Sequence, residues 1–208
     1  MLRIESAKDP FTTPKLAAKG ARALIRANAM GLLAEGERAL TLETSVFERL
    51  ALRLSKAGIG KQVVAILTSP LGLARDPDQL ERYLDSLTEA LESSPVPGSE
   101  WKPVIGILGV DMAARLLGVS PASVRRYARA VRSTPDDVAI RLHCLALIVG
   151  DLASAYNEIG IRQWFDRKRV QLGGRSPAQL LRGEWKPDDP GPQQVRALAY
   201  ALAGSPAT

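Results

Sequence analysis

Asp111–Arg132, DMAARLLGVSPASVRRYARAVR, is the stretch on which the reading of this chain turns. It reads as two short helices joined by a tight turn. The first runs over Asp111–Leu117, with Met112, Ala113, Leu116 and Leu117 as its apolar positions. Gly118 supplies the left-handed backbone that a helix end favours, and Val119 is small enough to pack beneath the turn. Ser120-Pro121 is a start signal, a hydroxyl N-cap followed by proline where a missing N–H costs nothing. Val124, Tyr127, Ala128 and Val131 then recur as one apolar stripe, which extends the second helix to Arg132. Arg125, Arg126, Arg129 and Arg132 spread over an arc of roughly 120° away from that stripe. The pattern is that of a helix-turn-helix whose second helix enters the DNA major groove.

A basic helix face is often only a solvated one, and glycine-turn helical hairpins are common in all-helical proteins. Two features favour the sharper reading. Every exposed charge on the second helix is arginine, whose planar fork suits guanine and phosphate. No acid occurs between Pro121 and Arg132. Arg125, Arg126 and Arg129 are the expected base or phosphate contacts, Ser120 and Ser123 the expected phosphate anchors, and Arg132 with Arg115 a periphery.

Composition sets bounds. With 208 residues the chain has room for one large domain or two small ones, and 46% apolar residues is ordinary for a globular protein. One cysteine, Cys144, excludes an internal disulfide and a cysteine-based zinc site, and it fits a cytoplasmic setting. No apolar run approaches the ~20 residues of a membrane span, and MLRIESAKDP lacks a signal-peptide pattern. The net charge of +6 is uneven: residues 1–100 hold 13 basic and 13 acidic side chains, so the whole excess lies in residues 101–208. That asymmetry argues for a polyanionic partner of the second half.

Elsewhere the chain reads as all-α. Residues 1–20 form an arm or short helix, and Ala21–Leu33 a helix rich in alanine and leucine. Thr44–Ser55 and Lys61–Thr68 follow, the second ended by Ser69, Pro70 and Gly72; Asp76-Pro77 caps a helix through Leu91. Ala57–Gln62, AGIGKQ, fails as a phosphate loop because Ser55 and Gln62 stand where glycine and a hydroxyl are required. These residues, 1–92, make an N-terminal helical module. Ser93–Glu100, SSPVPGSE, is read as a linker. The helix-turn-helix region follows over 101–135, with Lys102–Leu108 as support helix. Residues 136–208 hold a long apolar helix out to about Asn157, either core spine or dimer interface. His143 and Cys144 lie within it and read as packing. Then come an apolar cluster at Ile161, Trp164 and Phe165, the cations Arg167, Lys168 and Arg169, a turn at Gly173-Gly174, a helix over Pro177–Arg182, and a last helix over Gln193–Ala203.

The second half resembles the Xre/MbcA/ParS antitoxins and their toxin-binding domain. Trp164, Leu172, Gly174, Arg175, Pro177, Leu180, Leu181, Val195 and Leu198 carry the likeness, which spans about Val104–Ala203. The resemblance implies a homodimer that binds its own promoter and blocks a RES-type toxin that consumes NAD. It places toxin contact around Trp164, Arg175, Pro177, Leu180, Val195 and Leu198.

Catalysis is not expected, nor is a metal or another cofactor: one histidine, one cysteine, no nucleophile elbow and no ligand spacing are present. The expected function is that of a DNA-binding antitoxin and autorepressor. The alternatives are a protein-interaction adaptor, or a nucleoid- or plasmid-associated DNA-binding protein without a toxin partner.

Overall fold

The computed structural model describes residues 2–34, 39–67 and 76–203. It is mostly helical, 68% helix and 5% strand, in keeping with the all-α expectation. The chain divides into two compact units on either side of Ser94–Pro95.

The first unit contains β1 (Arg3–Ala7), α1 (Pro14–Ala29), β2 (Ala39–Leu42), α2 (Thr44–Ala57), α3 (Lys61–Leu67) and α4 (Pro77–Glu92). Residues 1–20, read as an arm or short helix, instead open with a strand: β1 runs parallel to β2, with Arg3 opposite Ala39 and Ala7 opposite Leu42. A two-stranded ladder between segments so far apart has no local signal to announce it. α1 also begins earlier than expected, because Thr13-Pro14 is another hydroxyl-plus-proline start: the Thr13 hydroxyl accepts a hydrogen bond from the Leu16 amide. Asp76 caps α4 as anticipated, accepting from the Gln79 amide at 3.0 Å. Phe11 and Phe47 stack at 5.0 Å in a core shared with Leu24, Leu50, Leu84 and Leu87. The Ser69, Pro70 and Gly72 stop signal lies outside the described residues.

The second unit contains α5 (Pro97–Leu108), α6 (Val110–Leu117), α7 (Pro121–Ala128), α8 (Asp136–Leu152), α9 (Glu158–Asp166), α10 (Pro177–Leu180) and α11 (Pro190–Ala203). α8 is its axis. Every residue from Arg141 to Leu152 is buried, which explains why this helix is apolar all round rather than striped. Over Arg141–Leu152 it is therefore core spine, while Asp136, Asp137 and Ile140 at its start are exposed. α5 and α11 pack along it, and the core takes in Trp101, Leu108, Leu116, Val124, Ile148 and Trp164.

The expected linker needs correction in its second half. Pro97 starts α5, and Glu100 is fully buried there, so residues 97–100 are the first turn of a helix of the second unit. Prolines at a helix start resemble a linker in composition alone. α10 closes at Leu180 rather than Arg182, and α11 starts three residues before the expected Gln193.

Candidate nucleic-acid interface

The turn between α6 and α7 is set by Gly118, at φ +68°. A Cβ added there would lie 2.4 Å from the Gly183 carbonyl oxygen, so another segment of chain packs directly on this turn. Two residues on, Trp185 donates its indole N–H to the Leu116 carbonyl at 2.7 Å, satisfying one of the acceptors left open where α6 ends. Tyr127 of α7 stacks on Trp101 at 5.8 Å, and the Trp101 indole donates to the Thr134 hydroxyl at 2.9 Å. The hairpin is thus clamped by one tryptophan at each helix.

Ser120 is the N-cap of α7. Its Oγ accepts from the Ser123 amide at 3.1 Å and donates to the Ser123 Oγ at 3.0 Å. Arg126 Nη2 reaches the same Ser123 hydroxyl at 3.5 Å. Ser120 is accordingly committed to the helix start, and Ser123 lies between it and the arginines.

The helix itself ends one turn short of the expected Arg132. The Val131 amide bonds back to the Arg126 carbonyl and the Ala130 amide to the Tyr127 carbonyl, each at 3.0 Å. Ala130 takes φ +53° between them. This is a Schellman closure with alanine where glycine is usual. Val131 consequently leaves the apolar stripe and stands 71% exposed. Arg125 and Arg126 sit on the last turn, Arg129 caps it and Arg132 follows in the loop.

All four arginines are exposed, and among the described residues none makes an ion pair. The acids nearest in sequence after them are Asp136 and Asp137, and Asp137 is engaged by Arg141 at 2.6 Å. In the first unit Lys8 pairs with Glu43, Lys15 with Glu81, Lys19 with Asp85, and Arg22 and Arg26 with Glu92. Lys15 is held above, and Glu43 below, its ordinary range by these ion-paired hydrogen bonds. Among the described residues both units hold paired and unpaired cations, but the four arginines of α7 and its exit stand together with no acid among them.

The residues assigned to a toxin by resemblance fall into two groups. Trp164, Pro177 and Val195 are buried, which makes them core residues rather than contacts. Trp164 meets Phe165 edge-on and carries the Arg169 guanidinium 4.9 Å above its ring. Arg175 is exposed; Leu180 and Leu198 are half-buried against the core. A tryptophan in a motif of this kind is conspicuous in sequence whether it packs or recognises, and only burial separates the two.

His143 and Cys144 are buried on α8. His143 Nδ1 lies 2.6 Å from the Oε1 of Glu100, joining α8 to α5. Burial pushes the Cys144 thiol up to about 11. Among the described residues no group of three or more His, Cys, Asp or Glu side chains could hold a metal ion, and no helix is long and apolar enough to cross a membrane.

Sequence reasoning missed Trp101, Trp185 and Gly183 as supports of the hairpin, since each acts on residues distant along the chain. Compared with protein-family models, curated proteins and solved structures, this chain matches none of them.

Proposed function

We propose that this protein is a double-stranded DNA-binding regulator of the antitoxin type, acting as a homodimer through α7. The observation that carries the reading is the set of exposed arginines without ion pairs, Arg125, Arg126, Arg129 and Arg132, on α7 and its exit, in a helical hairpin clamped by Trp185 at α6 and Trp101 at α7. Arginine on a rigid two-turn helix offers forked donors to guanine O6 and N7 or to phosphate without reordering the scaffold. In a symmetric dimer, two such helices meet successive major grooves about one DNA turn apart.

Repression of its own promoter and neutralisation of a RES-type toxin are part of this reading, on the strength of the resemblance over residues 104–203. The exposed Arg175 and the half-buried Leu180 and Leu198 are the residues left at the surface for such a partner. Their test is direct: rescue of growth by co-expression with a RES-type toxin.

The DNA reading is tested by fluorescence anisotropy against labelled duplex at two salt concentrations, wild type beside Arg125→Ala/Arg126→Ala. Loss of a base-reading arginine weakens binding by about 1–3 kcal/mol, and each lost phosphate contact flattens the salt slope by about 0.9. Unchanged affinity in the double variant overturns the assignment of α7.

A further inference from the structure

Past α9 the chain doubles back on itself. Arg169 and Arg175 form an antiparallel bridge, the Arg169 amide donating to the Arg175 carbonyl at 3.0 Å and the Gly174 amide to the Arg169 carbonyl at 3.0 Å. Gly173 and Gly174, both at positive φ, make the turn possible, and buried Leu172 pins it to the core. The result is a short hairpin, residues 167–175, with sequence RKRVQLGGR: four cations in nine residues, and no acid.

The four cations do different things. Arg169 lies over Trp164 and secures the hairpin. Arg167, Lys168 and Arg175 are exposed, and none of them has an acidic partner among the described residues. Arg167 contacts only the neutral amide oxygen of Gln163, at 3.2 Å. Val170, next to the bridge, is 91% exposed. Asp166, the acid closest in sequence, is already taken by Arg115 of α6 at 2.8 Å.

That ion pair also sets the hairpin's place. Asp166 immediately precedes the hairpin, and Arg115 lies five residues before Ser120, the start of α7. The hairpin base is therefore within a few residues' reach of the α6–α7 turn, well inside the ~34 Å of one DNA turn. A protein surface that concentrates unpaired cations beside a helix-turn-helix matches the phosphate backbone flanking an occupied groove.

From this geometry we infer that the hairpin 167–175 is a second DNA-contacting element, placing Arg167, Lys168 and Arg175 on phosphates beside the groove read by α7. The inference rests on the DNA-binding reading of α7. It assigns Arg175 to nucleic acid rather than to a toxin, and it makes the contact independent of base sequence. Arg169 and Leu172 are excluded from the contact because they hold the hairpin in shape.

The test uses the full-length protein and a mixed-sequence duplex of about 30 base pairs, roughly three helical turns. Anisotropy is followed from 50 to 200 mM salt, a range of about fourfold over which counterion release is readily measured. Arg167→Ala/Lys168→Ala/Arg175→Ala is compared with wild type and with Arg125→Ala/Arg126→Ala, and circular dichroism verifies that each variant is folded. The hairpin variant is expected to bind at least about tenfold more weakly at the lower salt and to lose about 2–3 from the slope of log K against log salt. A wild-type slope and affinity in the hairpin variant, with binding lost in the α7 variant, overturns the hairpin and leaves the α7 reading intact. Binding lost in neither variant, or absent in wild type, overturns both. A hairpin variant that keeps its DNA affinity but no longer captures a purified RES-type toxin makes the hairpin a protein interface and likewise overturns the inference.

Discussion

Glu100 and His143 show how little a residue's chemistry says before its surroundings are known. Glu100 stands in a serine- and proline-rich stretch, where a carboxylate is ordinarily solvated, yet it is fully buried, with Oε1 2.6 Å from His143 Nδ1 and no hydrogen bond to Oε2. An acid in such a place requires its partner. His143→Ala removes that partner and is expected to destabilise the second unit by about 3–5 kcal/mol, the range for breaking a buried pair. Glu100→Gln keeps a similarly shaped hydrogen-bonding group without the carboxylate and is expected to cost far less, about 1 kcal/mol. Urea unfolding of both variants decides the matter, and equal losses would show that charge has no part in the pair. Cys144, next in sequence, has no comparable partner to explain; burial raises its thiol, consistent with a packing role.

At the scale of the element, α7 is a short helix whose two ends are governed differently. Its start is local: Ser120 and Pro121 cap it in the manner that the sequence alone predicts. Its end is imposed. Leu142 and its neighbours bury α8, and Trp101 holds Thr134, so the chain must reverse between Ala128 and Asp136 to reach that axis. The reversal forces Ala130 to φ +53°, a conformation that costs an alanine about 1 kcal/mol and costs glycine almost nothing. Ala130→Gly should therefore stabilise the second unit, by about 0.5–1 kcal/mol, although glycine substitutions ordinarily destabilise. A fall in Tm for this variant would show that the strain is not there to relieve. The clamp on the other side, where Gly183 lies against Gly118, uses a glycine for close approach instead of chain entropy.

For the whole chain, the excess of positive charge lies in residues 101–208. In the first unit Glu43, Glu81, Asp85 and Glu92 each hold a cation, while in the second the arginines of α7 and the exposed cations of the 167–175 hairpin have no acidic partner among the described residues. Each unit has its own apolar core, and the cluster around α8 draws only on residues from Trp101 onward. Residues 95–208 produced alone are therefore expected to unfold cooperatively and to bind duplex DNA with the salt slope of the full chain, since the cations of α7 and the hairpin are all retained. Calorimetry and anisotropy check the two halves of that statement. A fragment that folds but binds with a markedly flatter slope would move part of the DNA contact into the first unit.

Much of this architecture was determined by the sequence itself, wherever the cause is local. Hydroxyl or carboxylate caps before proline at Thr13, Asp76, Ser120 and Ser176 open helices because they satisfy amides within the next turn. The apolar periods of α2, α4 and α8 and the glycine turn at Gly118 are likewise legible, as is the arginine content of α7. The tertiary structure decided what depends on partners far along the chain. The pairing of β1 with β2, the burial of Glu100 and Trp164, the early end of α7 and the doubling back of Arg169 onto Arg175 have no single-segment signature. A strand needs its neighbour's carbonyls, and a side chain becomes core only when other elements exclude water from it. Hence residue type and spacing suggested a basic helical surface, while packing decided that Trp101 and Trp185 hold its helices, that Trp164 is core, and that Arg167, Lys168 and Arg175 stay exposed.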